Sequence, residues 1–129
     1  MTSHTGPHGE FGLGKVKAGA MIEAWFWAFV FTQCVECPIY CRAFSSHRKP
    51  WGRAFIPSAV THPLFFLVIP HLLAPGSLIP LWMVEFCVVI LEGIILRAMR
   101  VRAGFFWALI ANGASLSLGS LSRLLWGWP

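Results

Sequence analysis

The chain has 129 residues and a net charge of +5, with 57% apolar and 12% charged residues and a mean hydropathy of +0.67. Soluble domains lie nearer about 45–50% apolar and about 25% charged, so an ordinary water-soluble domain is excluded. The ten Lys and Arg fall almost entirely between apolar runs, which points to membrane orientation and lipid headgroups and gives no support to a nucleic-acid partner.

Residues 1–17 are rich in Gly, His and Thr and lack hydrophobic periodicity, so they read as a mobile tail. The remainder, 18–129, reads as one transmembrane domain. Its first apolar run covers about 18–40, its second about 54–73, its third about 78–96 and its fourth about 104–125, each near the ~20 residues that a helix needs to cross a bilayer. The first run exceeds a signal-peptide core and offers no Ala-x-Ala site at its end. Pro50, Gly52, Pro75, Gly76 and Gly104 punctuate short connectors. The predicted fold is therefore all-α: an integral membrane bundle of four helices.

Basic residues set its orientation. Arg42, Arg48, Lys49 and Arg53 crowd the first connector and Arg97, Arg100 and Arg102 the third, whereas Lys15, Lys17 and Arg123 belong to the opposite side. The positive-inside rule puts the first and third connectors in the cytoplasm and both termini outside. Trp25, Trp27, Trp82, Trp126 and Trp128 then mark the outer interface, and Tyr40, Trp51 and Trp107 the inner one.

Ionisable groups inside the runs are the informative feature. There is no Asp, and of the five acidic residues, all Glu, only Glu10 lies outside the apolar runs. Counting from the nearest cytoplasmic basic residue at ~1.5 Å per residue, Glu92 lies about 8 Å deep, Glu36 about 9 Å, His62 about 14 Å, Asn112 about 15 Å and Glu85 about 18 Å. Each helix thus brings a polar group to the cytoplasmic half of the bundle. Glu85 and Glu92 are two turns apart and share a face. Glu23, near the outer end, snorkels to water. A carboxylate at the bilayer centre costs at least ~2.5 kcal/mol and must be protonated, paired or open to water. His62 is the one base at matching depth, so Glu36, His62, Glu85, Glu92 and Asn112 form the candidate proton- or ion-binding site. Against this stands a structural role, in which protonated Glu residues hydrogen-bond across helices at ~1 kcal/mol each.

Pro38 and Pro63 free the carbonyls of Cys34 and Ala59, as broken helices at ion sites do, although transmembrane helices also tolerate proline without function. Cys34, Cys37 and Cys41 share a helical face that could take a soft metal, on the side away from Glu36; packing as small hydrophobes is the competing reading. Ala108, Asn112, Ser115, Gly119 and Ser122 recur every three or four residues as a small-residue packing seam.

In length, helix number and a first-span Glu the chain resembles the small multidrug resistance exporters. Their first-span motif is absent around Glu23 and Glu36, and His62 with the paired Glu85 and Glu92 departs from their pattern, so the likeness assigns no family. The expected function is a proton- or cation-coupled transporter or channel subunit without cofactor. It would sit in the lipid bilayer as a multi-pass protein of a cell membrane, by default the bacterial inner membrane, as a homo-oligomer or with a membrane-protein partner. Two alternatives compete: an accessory or assembly subunit whose polar groups face a partner, and an intramembrane enzyme acting on lipid headgroups with His62 and Glu36 as acid and base.

Overall fold

The computed structural model describes the backbone of residues 8–45, 48–72 and 81–127, and the side chains from 19 onward within these except 67, 69–72 and 81–82. Among the described residues the chain is all-helical, with four long helices, one short one and no strand. They are α1 (His8–Ala43), α2 (Pro50–Ala54), α3 (Ile56–Leu72), α4 (Leu81–Ala98) and α5 (Gly104–Trp126). The long helices pack as a ring: α1 beside α5, α5 beside α4, α4 beside α3, and α3 back on α1. Packing is closest between α4 and α5, and lightest where α3 meets α1.

Three elements differ from the sequence reading. The helical backbone of α1 reaches back to His8, so residues 8–17, expected as tail, are helical. Extending a formed helix costs far less than nucleating one, and no proline interrupts this stretch. A short helix, α2, precedes α3 where a plain connector was expected. Pro50 opens it, with its φ already set for a helix. Phe55 donates to Trp51 O and Ala59 to Phe55 O, so the chain winds almost unbroken into α3. The break falls where Pro57, lacking an N–H, cannot bond Arg53. The second connector, with Pro75 and Gly76, lies outside the described residues, as do residues 1–7 and Trp128.

The α4–α5 connector is a tight reversal. Val101 N donates to Leu96 O and Arg100 N to Arg97 O, each at 2.9 Å, the paired bonds that close a helix when the residue after its end turns left-handed. Arg100 takes that place at φ 64°, and Ala103, at φ 57°, caps the start of α5. Leu96 and Val101, the apolar partners of this turn, lie in a core with Tyr40, Phe44, Ala54, Ala108 and Ala111. This apolar core occupies the end of the bundle that carries the Arg-rich connectors. Gly104 holds α5 against α4: a Cβ there would lie 3.0 Å from Gly93 O and 3.1 Å from Arg97 N.

Gly104→Ala should therefore lower stability by about 1–3 kcal/mol, because the obstacle is backbone rather than a side chain that can swing away. Arg100→Gly should raise it by about 1 kcal/mol by removing the left-handed penalty. Thermal unfolding in detergent reads both; equal midpoints for Gly104→Ala and the native chain would contradict the close approach of α4 and α5.

Candidate functional site

Polar side chains gather in the interior beside the apolar core. Glu36 is 1% exposed and Glu92 0%, in company with buried Ser58, Thr61 and Asn112, while Phe86, Ile94, Leu109 and Leu124 stand outside. Burial of an unsatisfied carboxyl costs several kcal/mol, so each acid requires partners in the interior.

Glu92 has three, from three other helices. Tyr40 Oη of α1 donates to Glu92 Oε2, Thr61 Oγ1 of α3 to Oε1 at 2.7 Å, and Asn112 Nδ2 of α5 to Oε2 at 2.6 Å. One α4 side chain thus ties the whole ring together. Asn112 also reaches Ala108 O at 2.9 Å and Tyr40 Oη at 3.4 Å. Glu36, a turn before Tyr40 on α1, accepts from Ser58 Oγ on α3 and from Ser115 Oγ on α5 at 2.7 Å. The two carboxyls are linked along both neighbours: Thr61 Oγ1 also approaches Pro57 O at 3.2 Å and Ser58 O at 3.4 Å, and Ser115 Oγ lies 3.1 Å from Asn112 O.

Next to this layer the four long helices line a half-open cavity of about 410 Å³. Glu36, Thr61, His62, Glu85, Asn112 and Ser115 give its polar wall. Trp25, Phe65 and Phe66, with Val84, Val88 and Leu116, give its apolar wall. Trp25 and Phe66 stand 5.0 Å apart, and Trp25 Nε1 is buried without a hydrogen-bond partner among the described residues. All four long helices contribute because the residues follow helical spacing; Trp25, Ala28, Thr32 and Glu36 of α1 step by three, four and four.

Of the five site residues expected from sequence, Glu36, His62, Glu85 and Asn112 line this one cavity, and Glu92 is held next to it by Asn112. Among the described residues His62 is bonded to no carboxylate; its ring packs at 5.4 Å on Phe29. The hydrogen-bond partners of Glu36 are the hydroxyls of Ser58 and Ser115, not a base. Hydroxyl and amide donors do the work expected of His62. Ser58 and Tyr40 were missed, although Tyr40 follows Glu36 by one turn and Ser58 precedes Thr61 by three residues, spacings that share a face. Tyr40 is 0% exposed and belongs to the network rather than the inner interface; Trp25 lines the cavity rather than the outer belt.

The cysteines are free thiols: Cys34 is exposed, and Cys37 and Cys41 are partly buried. Cys37 Sγ donates to Gln33 Oε1 at 3.2 Å. Among the described residues no three His, Cys, Asp or Glu side chains are placed to hold a metal ion. The small stripe of α5 faces inward: Ala108, Asn112 and Ser122 are buried, and a Cβ on Gly119 would stand 3.6 Å from Phe31 Cε1.

The Glu92 layer predicts a graded response. Glu92→Leu, which strands three donors, should cost about 2–4 kcal/mol, at ~1 kcal/mol for each interhelical bond. Glu92→Gln retains acceptor capacity and should cost less than half of that; an equal loss in both variants, read by denaturant unfolding in micelles, would show that the bonds do not carry the effect. Neither a protein-family model, nor a characterised protein, nor a solved structure matches the chain, so its function rests on the chemistry of these side chains.

Proposed function

We propose that the chain is a multi-pass membrane protein of four transmembrane helices, and that its interior carboxylates serve proton- or cation-coupled transport, as a small transporter or a channel subunit. By length and composition α5 alone among the described helices, Gly104–Trp126, qualifies as a membrane span. α3 falls short at 17 residues, and α4 carries Glu85, Glu92 and Arg97 in 18. What supports spans for these too is the distribution of polarity. Their outward side chains, Val60 and Leu64 on α3 and Phe86, Ile90 and Ile94 on α4, are large and apolar, while Ser58, Thr61 and Glu92 are buried and Glu85 lines the cavity; Arg97, at the connector end of α4, is exposed. Water would favour the reverse arrangement; lipid favours this one. The seven basic residues of the two connectors then lie at the cytoplasmic face, where the first and third connectors belong.

The observation that carries the transport reading is the convergence of Glu36, Glu85 and His62 on one half-open cavity lined by all four long helices. Carboxylates beside an internal space, with carboxylates for charged neighbours, gain by binding a proton or a cation. Their burial weighs against a docking subunit, whose polar groups would face outward. The Glu92 layer separates the cavity from the Arg-rich end, so passage requires that layer to open or a path shared between copies of the chain; a homo-oligomer belongs to the same proposal.

Two measurements test it. With the native cysteines replaced by Ala, Ser45→Cys and Arg102→Cys should label from the cytoplasmic side and Gly127→Cys from the opposite side; labelling of all three from one side overturns the four-span topology. In liposomes loaded with a pH-sensitive dye, a cation gradient should drive proton movement by the native protein, and Glu36→Gln and Glu85→Gln should each reduce it on the order of tenfold or more. Folded variants with undiminished movement would remove both acids from the mechanism.

A further inference from the structure

A second hollow, an open groove of about 480 Å³, lies between α1 and the junction of α2 with α3, and it shares no lining residue with the cavity. α1 gives it Phe29, Cys34, Cys37 and Pro38, and the junction gives it Trp51 and Phe55. Gln33 adds an amide to this wall. The side chain is 8% exposed; its Oε1 accepts from the Cys37 thiol at 3.2 Å, while its Nε2 is buried with no hydrogen-bond partner among the described residues. A buried donor with its bond unmade destabilises a fold, and an apolar side chain of similar size would avoid that cost. The amide is half of an interaction.

We propose that the groove binds a membrane quinone, a flat neutral ring whose carbonyl oxygen accepts from Gln33 Nε2 and whose faces lie among Phe29, Trp51 and Phe55, with its tail left in lipid. This rests on the membrane placement of α1 and not on the role of the interior carboxylates. Charge excludes ionic occupants, since the lining holds no Lys, Arg, Asp or Glu. Two thiols fall short of the four ligands of a structural zinc site. Depth excludes an ordinary phospholipid: Gln33 precedes Arg42 by nine residues, about 13 Å along the helix, close to the middle of a hydrocarbon core about 30 Å thick. A phospholipid offers only methylenes there, and these accept no hydrogen bond. A ring carbonyl does. The volume falls within the range of about 300–1,000 Å³ typical of small-molecule sites, and Phe29 and Phe55, edge to face with centroids 6.1 Å apart, present aromatic surface against which a further flat ring packs. Pro38, inside α1, has no N–H for the Cys34 carbonyl, so the same wall carries an acceptor for the hydroxyl of the reduced ring.

Decylubiquinone and decylbenzene, which has the same tail on a ring without carbonyls, separate the hydrogen bond from apolar burial. Titrated into the full chain in phosphatidylcholine nanodiscs, against empty discs, decylubiquinone should quench tryptophan fluorescence saturably, and decylbenzene should not displace it. Gln33→Leu should weaken binding on the order of tenfold, and Phe55→Ala several-fold. The thermal midpoint of Gln33→Leu without ligand should not fall, since the unmade bond goes with the amide; loss of binding in a variant as stable as the native chain separates recognition from folding. Displacement by decylbenzene, which would make this a groove for any acyl chain, overturns the proposal, as does undiminished affinity in Gln33→Leu. If the quinone fails to bind while a cation gradient still drives proton movement, this inference falls and the transport reading stands; if it binds while Glu36→Gln and Glu85→Gln leave proton movement undiminished, the reverse holds.

Discussion

A carboxyl group cannot be left bare in an apolar interior, and the architecture follows from how Glu92 avoids that fate. Its donors come from Tyr40, Thr61 and Asn112, one from each of the other long helices. In the lipid setting proposed for this chain there is no hydrophobic force between helices, and packing with interhelical hydrogen bonds has to hold a bundle together. Glu92 supplies a point at which all four helices must agree in rotation and height. A register slip of one residue on any helix, a turn of about 100° and a shift of about 1.5 Å, would break at least one of these bonds.

That fixed point divides the bundle into two unlike halves. Toward the Arg-rich connectors the helices close on Tyr40, Phe44, Leu96, Val101, Ala108 and Ala111, and Gly104 lets α5 touch the α4 backbone. On the other side of Glu92 nothing draws α3 in as tightly, and the space between it and its neighbours becomes the cavity. The empty volume is thus a product of uneven packing: small residues on α5 and a left-handed reversal pull one helix pair together, and the three prolines of α3 leave it the least tightly held wall.

Much of this was legible in the residues. The long helices follow from the apolar runs, and Glu36, Glu85, Glu92, His62 and Asn112 stand out because each interrupts one of those runs. Four of the five line one cavity, because their places along the helices fall at neighbouring levels. Partnering was not legible. An acid amid apolar residues invites a search for a base, and His62 was the base at hand, yet hydroxyls satisfied the acids instead. Ser58, Thr61 and Ser115 are common in any helix and announce nothing until the facing acid is known. Tyr40 misled for a related reason: next to a basic connector a tyrosine belongs by habit to the interface, and only the turn of helix from Glu36 brings it inside. The α2 helix was hidden because it carries no apolar period of its own. The α1 extension was hidden because glycine-rich composition argues for coil while the neighbouring helix argues the other way.

The hydroxyls around the acids have a property that charged partners would lack. Thr61 Oγ1 has Glu92 at 2.7 Å and the Pro57 carbonyl at 3.2 Å, and Ser115 Oγ has Glu36 at 2.7 Å and the Asn112 carbonyl at 3.1 Å. A hydroxyl can donate to one neighbour while accepting from another. Rotating the O–H bond toward the backbone carbonyl turns its oxygen into a receiver for a neutral acid, and rotating it back restores the donor that an ionised acid needs. When a proton arrives at or leaves either acid, a rotor flip of its hydroxyl partner accommodates the change with every helix left in place.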